Sequence, residues 1–315
     1  MDVLVIFALA AFLALVPPLV DRWALRRGAS PETLAALAAM TLLGVAAVPV
    51  TFAICTGLLA VRDHLHDGLS VPAVGGLLLV ALAAGRTSAR MLSTRRRWSG
   101  LARIAAALQL PEVGGVKVLP VGELLAFVSG TEAFISQGLI ERLTPDQRRA
   151  VIEHEREHAT RRHGRLLAAA RALTHGSFDP HPARHAAGVL DRELDALADR
   201  AAARRVGDPL TVQDTLRAVA TATSSHSEID AATRARIQRL SLGERRHPLV
   251  DAVVRIVTIA LAALLLASIC VSLHTSSVAL GVLACVLLVA GFVSFARPAL
   301  KPDKPLPSTP EIPHA

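Results

Sequence analysis

The sequence predicts a mainly α, polytopic membrane protein with about five transmembrane helices and a polar α+β domain between the third and fourth of them. Three observations carry this expectation. Apolar residues come in blocks near the length that spans a bilayer, instead of being spread at helical spacing. Arg and Lys gather beside alternate blocks. A polar stretch of about 165 residues interrupts the series, a length that suits one domain.

The blocks fall at residues 3–20, 34–61, 71–85, 253–273 and 278–296. Only Met1-Asp2 precedes the first, with no positive charge, so it is expected to be retained as a span instead of being cleaved as a signal peptide. Arg22, Arg26 and Arg27 follow the first block, Arg86, Arg90 and Arg95–Arg97 the third, and Arg297, Lys301 and Lys304 the fifth. Those flanks are assigned to the cytoplasm, which puts the N-terminus outside and the C-terminus inside. The expected organisation is three transmembrane helices over 1–85, a cytosolic domain over 86–250, two transmembrane helices over 251–297, and a disordered Pro-rich tail over 298–315. The expected location is a multi-pass place in the cell membrane.

Composition narrows the function classes. The chain has 315 residues, 52% of them hydrophobic and 19% charged, and a mean hydropathy of +0.45, which excludes general disorder. Its net charge of +8 invites a nucleic-acid reading. Aromatic residues make up only 3% and tyrosine is absent, so stacking platforms for bases are lacking. No nucleic-acid partner is expected. Cys55, Cys270 and Cys285 each lie in an apolar block and form no CxxC pair, so no thiolate metal site or disulfide framework is expected.

Within 86–250 the elements are assigned in order. A helix is expected over 95–108 and strands over 116–120, 125–128 and 133–136. Thr144-Pro145-Asp146-Gln147 has an N-cap threonine, proline at the first helical position and glutamine at the third, the pattern of a capping box. The helix it starts is expected to run to about residue 173, with Gly164 its one weak point. A second long helix is expected over 182–206, stopped by Gly207-Asp208-Pro209, with further helices over 211–222 and 231–240.

The first of these long helices carries His154-Glu155-Arg156-Glu157-His158, an HExxH sequence. Residues i and i+4 of a helix share a face, so His154 and His158 can hold one zinc ion together. Glu155 flanks that site without ligating and can take a proton from the water that zinc activates. Catalytic zinc usually takes three protein ligands. The second long helix offers Glu193, Asp195 and Asp199 for the third. Asp195 and Asp199 share a face, so one can bind metal while the other fixes an imidazole. The competing reading makes them surface carboxylates paired with Arg192, Arg200 and Arg204. His163 is expected at the surface, His175, His181 and His185 in the link between the helices, and His64 and His66 beyond the membrane.

The stretch from Leu119 to Gly164 resembles the core of integral-membrane zinc metallopeptidases of the BlaR/MecR type, with HtpX-type gluzincins and CAAX-prenyl proteases as more distant relatives. The resemblance rests on Ala133-Phe134-Ile135-Ser136-Gln137-Gly138-Leu139 and on Ala150-Val151-Ile152-Glu153-His154-Glu155-Arg156-Glu157-His158. Asp195-Ala196-Leu197-Ala198-Asp199 is similar to the family's ExxAD segment, with aspartate where the family has its ligand glutamate. The resemblance implies His154, His158 and Asp195 as ligands, with Glu193 competing for the third place, Glu155 as general base and Asp199 as the residue that orients a ligand. It also implies that the strand around Phe134 is an edge along which substrate lies. No penicillin-binding sensor domain is expected.

The expected function is therefore that of an HExxH zinc endopeptidase in the membrane, with Zn2+ as cofactor and the lipid bilayer as surroundings. Its substrates would be cytosolic regulators or membrane proteins. The alternative is an inactive membrane scaffold or sensor that keeps the fold. Self-association into a homo-oligomer is left open.

Overall fold

The structure, a computed structural model, describes residues 19–24, 26, 27, 29–45, 71–177, 180–223, 230–241 and 248–259. In chain order its elements are α1 (Val71–Ala107), β1 (Glu112–Val113), β2 (Val116–Leu119), β3 (Ala126–Ser129), β4 (Glu132–Ser136), α2 (Gln137–Arg142), α3 (Pro145–Thr160), α4 (His163–Gly176), α5 (Pro180–Val206), α6 (Pro209–Thr223) and α7 (Ala231–Ser241). Residues 31–45 and 248–259 are helical as well.

The expectation of a polytopic membrane protein is overturned among these residues: no described helix is long and apolar enough to cross a membrane. The described residues are mainly helical, and two of the apolar stretches have protein partners. Residues 34–45, the first half of the second expected span, press Ala35, Ala38 and Leu42 against Leu166 and Ala170 of α4 and against Ala186, Leu190 and Leu194 of α5. Leu34 and Leu37 pack on Val250 and Val254, which includes the start of the fourth expected span. Alanine-rich helices approach closely, and burial between helices satisfies an apolar stretch as well as lipid does. The third expected span is the opening of α1, which continues through Arg86, Arg90 and Arg95–Arg97 as one helix across the expected boundary at residue 86. The expected spans at 3–18, 46–61, 260–273 and 278–296, the cysteines and the Pro-rich tail lie outside the described residues.

Asp251 ties the two ends of the described chain together. Its Oδ1 accepts the Ser30 amide at 2.8 Å and the Thr33 hydroxyl at 2.9 Å, and so closes the N-terminus of helical residues 31–45. Carboxylates are favoured there, because the first amides of a helix have no internal acceptor.

The sheet has the order β1-β2-β4-β3, with β2 and β4 parallel and the other two pairings antiparallel. Phe134 therefore lies on an interior strand, and the edge next to it is β3; this corrects the expected placement of the edge. The turn between β3 and β4 passes through Gly130 at φ +70°, a conformation without penalty for glycine. One face of the sheet buries Val116, Val118, Ala133 and Ile135 against Leu139, Ile140, Val151 and Ile152 of α2 and α3. This cluster seats the start of α3.

α3 begins as expected. Thr144 Oγ1 accepts the Gln147 amide at 3.3 Å, and Gln147 Oε1 accepts the Thr144 amide at 3.1 Å. Its end differs from expectation. The helix stops at Thr160 and restarts at His163, because Arg162 takes the left-handed conformation at φ +58°. α5 lies along α3 and ends at Gly207, φ +86°. Arg205 near that end reaches back to Glu153 and Glu157 of α3, donating to Glu157 Oε2 at 2.6 Å, while Arg161 pairs with the same buried Glu157. These pairs hold the two long helices in register.

Gly138, at the β4–α2 junction, has no room for a side chain. A Cβ there would lie 2.1 Å from the Gly122 carbonyl oxygen and 2.5 Å from its carbon, both backbone atoms. Gly138→Ala is expected to destabilise the protein by about 2 kcal/mol or more, seen as a lower melting temperature by circular dichroism. An unchanged melting temperature would contradict this packing.

Candidate metal centre

α3 and α5 bring His154, His158 and Asp195 together. One ligand atom from each lies within 4.8 Å of the others. The Nε2 atoms of His154 and His158 are 3.1 Å apart, and Asp195 Oδ1 is 3.5 Å from His158 Nε2. Ligands of tetrahedral zinc at 2.0–2.1 Å are separated by about 3.3 Å, so these spacings suit the ion. The donor set suits it too: two imidazole nitrogens and one carboxylate oxygen leave a fourth position for water.

The surrounding groups point the first histidine correctly. His154 Nδ1 lies 2.9 Å from Asp199 Oδ1, and Asp199 is buried. With its Nδ1 proton on that carboxylate, His154 keeps the Nε2 lone pair for a metal. Asp199 is held in turn by Arg236 of α7, which donates from Nε to Oδ2 and from Nη2 to Oδ1, each at 2.7 Å. Arg236 Nη1 also stands 3.5 Å from Asp195 Oδ2.

His158 has a different support. Its Nδ1 is 3.0 Å from Nδ1 of His163, which is fully buried. The sequence placed His163 at the surface. The break at Arg162 turns the chain at that point, and the first residue of α4 comes to lie against the last histidine of the motif. Glu155 is buried next to His154 and feels the charges of both His154 and Arg236.

Glu193, the competing third ligand, is not part of this group. It is fully buried and takes both donors of Arg239 at 2.9 and 3.0 Å. Two residues from Asp195 is about 200° around a helix, so the two carboxylates face different neighbours. The competing reading paired Asp195 and Asp199 with arginines of α5 itself; Arg236, 37 positions beyond Asp199, is the partner instead. Sequence reasoning missed Arg236 because spacing within one helix says nothing about a helix that returns from so far along the chain. His163 carried a weak signal, five positions past His158 and one before Gly164.

The charges interact strongly. Burial alone would raise the Asp199 carboxyl, but its bonds to Arg236 and His154 outweigh this and hold it far below the ordinary carboxylate range. Asp195 moves the same way, since the bond to His158 and the charge of Arg236 overcome its burial. Burial opposes the charged form of His154, yet Asp199 raises its pKa above the ordinary histidine value. Burial pushes the Glu193 carboxyl up, against the pull of Arg239.

A His-x3-His pair on one helix and a carboxylate from the facing helix form a group that could hold a metal ion, with a buried glutamate beside the first histidine. Residues 92–178 match the family model for peptidase family M48, a family of zinc metallopeptidases. The matched segment holds the second part of α1, the sheet, and α2 to α4 with the whole HExxH sequence, while Asp195, Asp199 and Arg236 lie beyond it. The match supports a metallopeptidase. No curated protein and no solved structure matches the chain.

The signs of these shifts give the contribution of the Asp199–His154 pair to the pH dependence of stability in the metal-free protein. Asp199, with its lowered pKa, contributes stability above its unfolded value of about 3.9, which is lost as pH falls below it. His154, with its raised pKa, contributes stability below its unfolded value of about 6.5, lost as pH rises through the folded value. The pair therefore stabilises most between about pH 4 and 6.5. Asp199→Asn is expected to flatten that maximum in urea-unfolding midpoints measured from pH 3 to 8; an unaltered profile would contradict the pairing.

Proposed function

We propose that the chain is a zinc-dependent endopeptidase that uses His154, His158 and Asp195 as ligands and Glu155 as general base. The observation that carries this reading is the geometry of the three donors, with the Nδ1 proton of His154 already engaged by Asp199. Bound there, zinc supplies Lewis acidity for a peptide carbonyl and lowers the pKa of a water toward 7. The Glu155 carboxylate takes the proton from the attacking water and passes it to the departing amine nitrogen. Burial of Glu155 keeps bulk water from competing for that proton. Asp199 keeps His154 in one tautomer throughout.

β3 gives the substrate a place. It pairs with β4 on one side only, and no further strand lies beside it among the described residues. It also packs against α3, which bears Glu155. An extended peptide pairing with that edge would be held by its main chain, so recognition would depend little on side chains. This favours unfolded or extended protein segments as substrates.

Glu155→Gln separates the roles of these residues. It is expected to keep about one zinc per chain while losing peptide hydrolysis by at least 10²-fold, measured on an unstructured protein such as casein. Asp195→Ala is expected to lose the zinc, and Glu193→Gln to keep it, by metal analysis of the purified proteins. Full activity in Glu155→Gln would remove the general-base role. A wild type that binds zinc but cleaves nothing under any condition would favour the inactive scaffold.

A further inference from the structure

Three features outside the mechanism invite a role. The small cavity beside Asp21 and His185 is lined mainly by apolar side chains of helical residues 31–45 and of α5, and it brings together two titratable groups already paired with each other. The exposed apolar residues of α1 and of residues 248–259 show nothing that says what covers them. Arg236 goes further, because it touches two functional groups at once.

We infer that Arg236 is a positioning residue that sets two of the three ligand arms together, His154 through Asp199 and Asp195 directly. The inference rests on the zinc reading above and deepens it. The guanidinium is planar and presents its donors in a fixed fork. Nε and Nη2 occupy both oxygens of Asp199, so this carboxylate cannot turn about its own axis without breaking two bonds. Asp199 Oδ1 is also the partner of His154 Nδ1, and the ring is therefore aimed by the same plane. The third guanidinium nitrogen, Nη1, faces Asp195 Oδ2 and leaves Oδ1 on the side of His158.

The arrangement bears on the short side chain. Aspartate has one methylene fewer than glutamate, and the ligand oxygen has less reach to adjust. A cation on Oδ2 biases Asp195 toward ligation through Oδ1 alone. The fork also links the site to α7, in which Ile237 is the one buried residue and which meets α5 through Arg236 and Arg239 and through Leu240 against Ala202 and Ala203.

A cation close to a zinc site also repels the metal. Positioning and repulsion predict opposite signs, which makes the inference testable. Arg236→Lys keeps the charge and loses the fork. It is expected to weaken zinc binding about 10- to 100-fold, measured by competition with a chromophoric chelator. The visible spectrum of the cobalt(II)-substituted protein is expected to change as well, since it reports ligand geometry. Arg236→Met removes the charge together with the fork. It is expected to weaken zinc binding too, whereas simple repulsion by Arg236 would make that variant bind more tightly. Arg239→Lys, which disturbs the neighbouring fork on the same helix, is expected to leave zinc affinity and the cobalt spectrum unchanged.

Zinc affinity of Arg236→Lys within twofold of wild type, with an unchanged cobalt spectrum, would overturn the inference. So would tighter binding by Arg236→Met, or equal weakening by Arg239→Lys, which would reduce Arg236 to a tether for α7. A wild type that binds no zinc would overturn the zinc reading itself, and this inference with it; that result is read before any variant is compared.

Discussion

The fold is governed by the need to match the structural carboxylates that α5 and α3 bury. An unpaired buried charge costs several kcal/mol, and a paired one is tolerated only with good hydrogen-bond geometry. Three of them are answered by guanidinium groups. Asp199 meets Arg236, Glu193 meets Arg239, and Glu157 meets Arg205 and Arg161. These pairs fix how α7 crosses α5 and how α5 runs beside α3. The candidate metal centre is placed by the same pairings, since His154 hangs from Asp199. Replacing one member of such a pair is costly because the other stays behind uncompensated.

Elements specified by local chemistry were legible in the sequence. The capping box at Thr144 starts α3, Gly207 stops α5, and helical spacing puts His154 and His158 on one face. The join of Asp195 to that pair came from its likeness to a known segment, and the structure brings the three together. Features that depend on distant partners were not legible. The strand with Phe134 has the alternation of any strand, and only the pairing of β2 with β4 shows that it is interior. The break at Arg162 arises where a helix of good formers turns, without a glycine or proline at that residue to announce it.

Among the described residues, the expectation of transmembrane helices was overturned for a related reason. An apolar block says that water is unfavourable, and it does not say whether lipid or protein replaces the water. In residues 34–45 the blocks are rich in alanine, which suits close packing between helices. Leu166, Leu190 and Leu194 supply the opposing surface, but from positions more than a hundred residues away. Hydropathy taken in windows cannot see such a partner.

The cover that residues 31–45 form over α4 and α5 limits how the chain can be dissected. A fragment beginning at residue 86 would contain every candidate ligand, yet it would leave Leu166, Ala170, Ala186, Leu190 and Leu194 facing solvent. It would also strand the carboxylate of Asp251, which caps the missing helix through Ser30 and Thr33. A unit that keeps this packing therefore includes residues 31–45 as well as 248–259. Truncation before residue 31 leaves this cover in place, whereas truncation past residue 45 strips the back of the helix that carries Asp195.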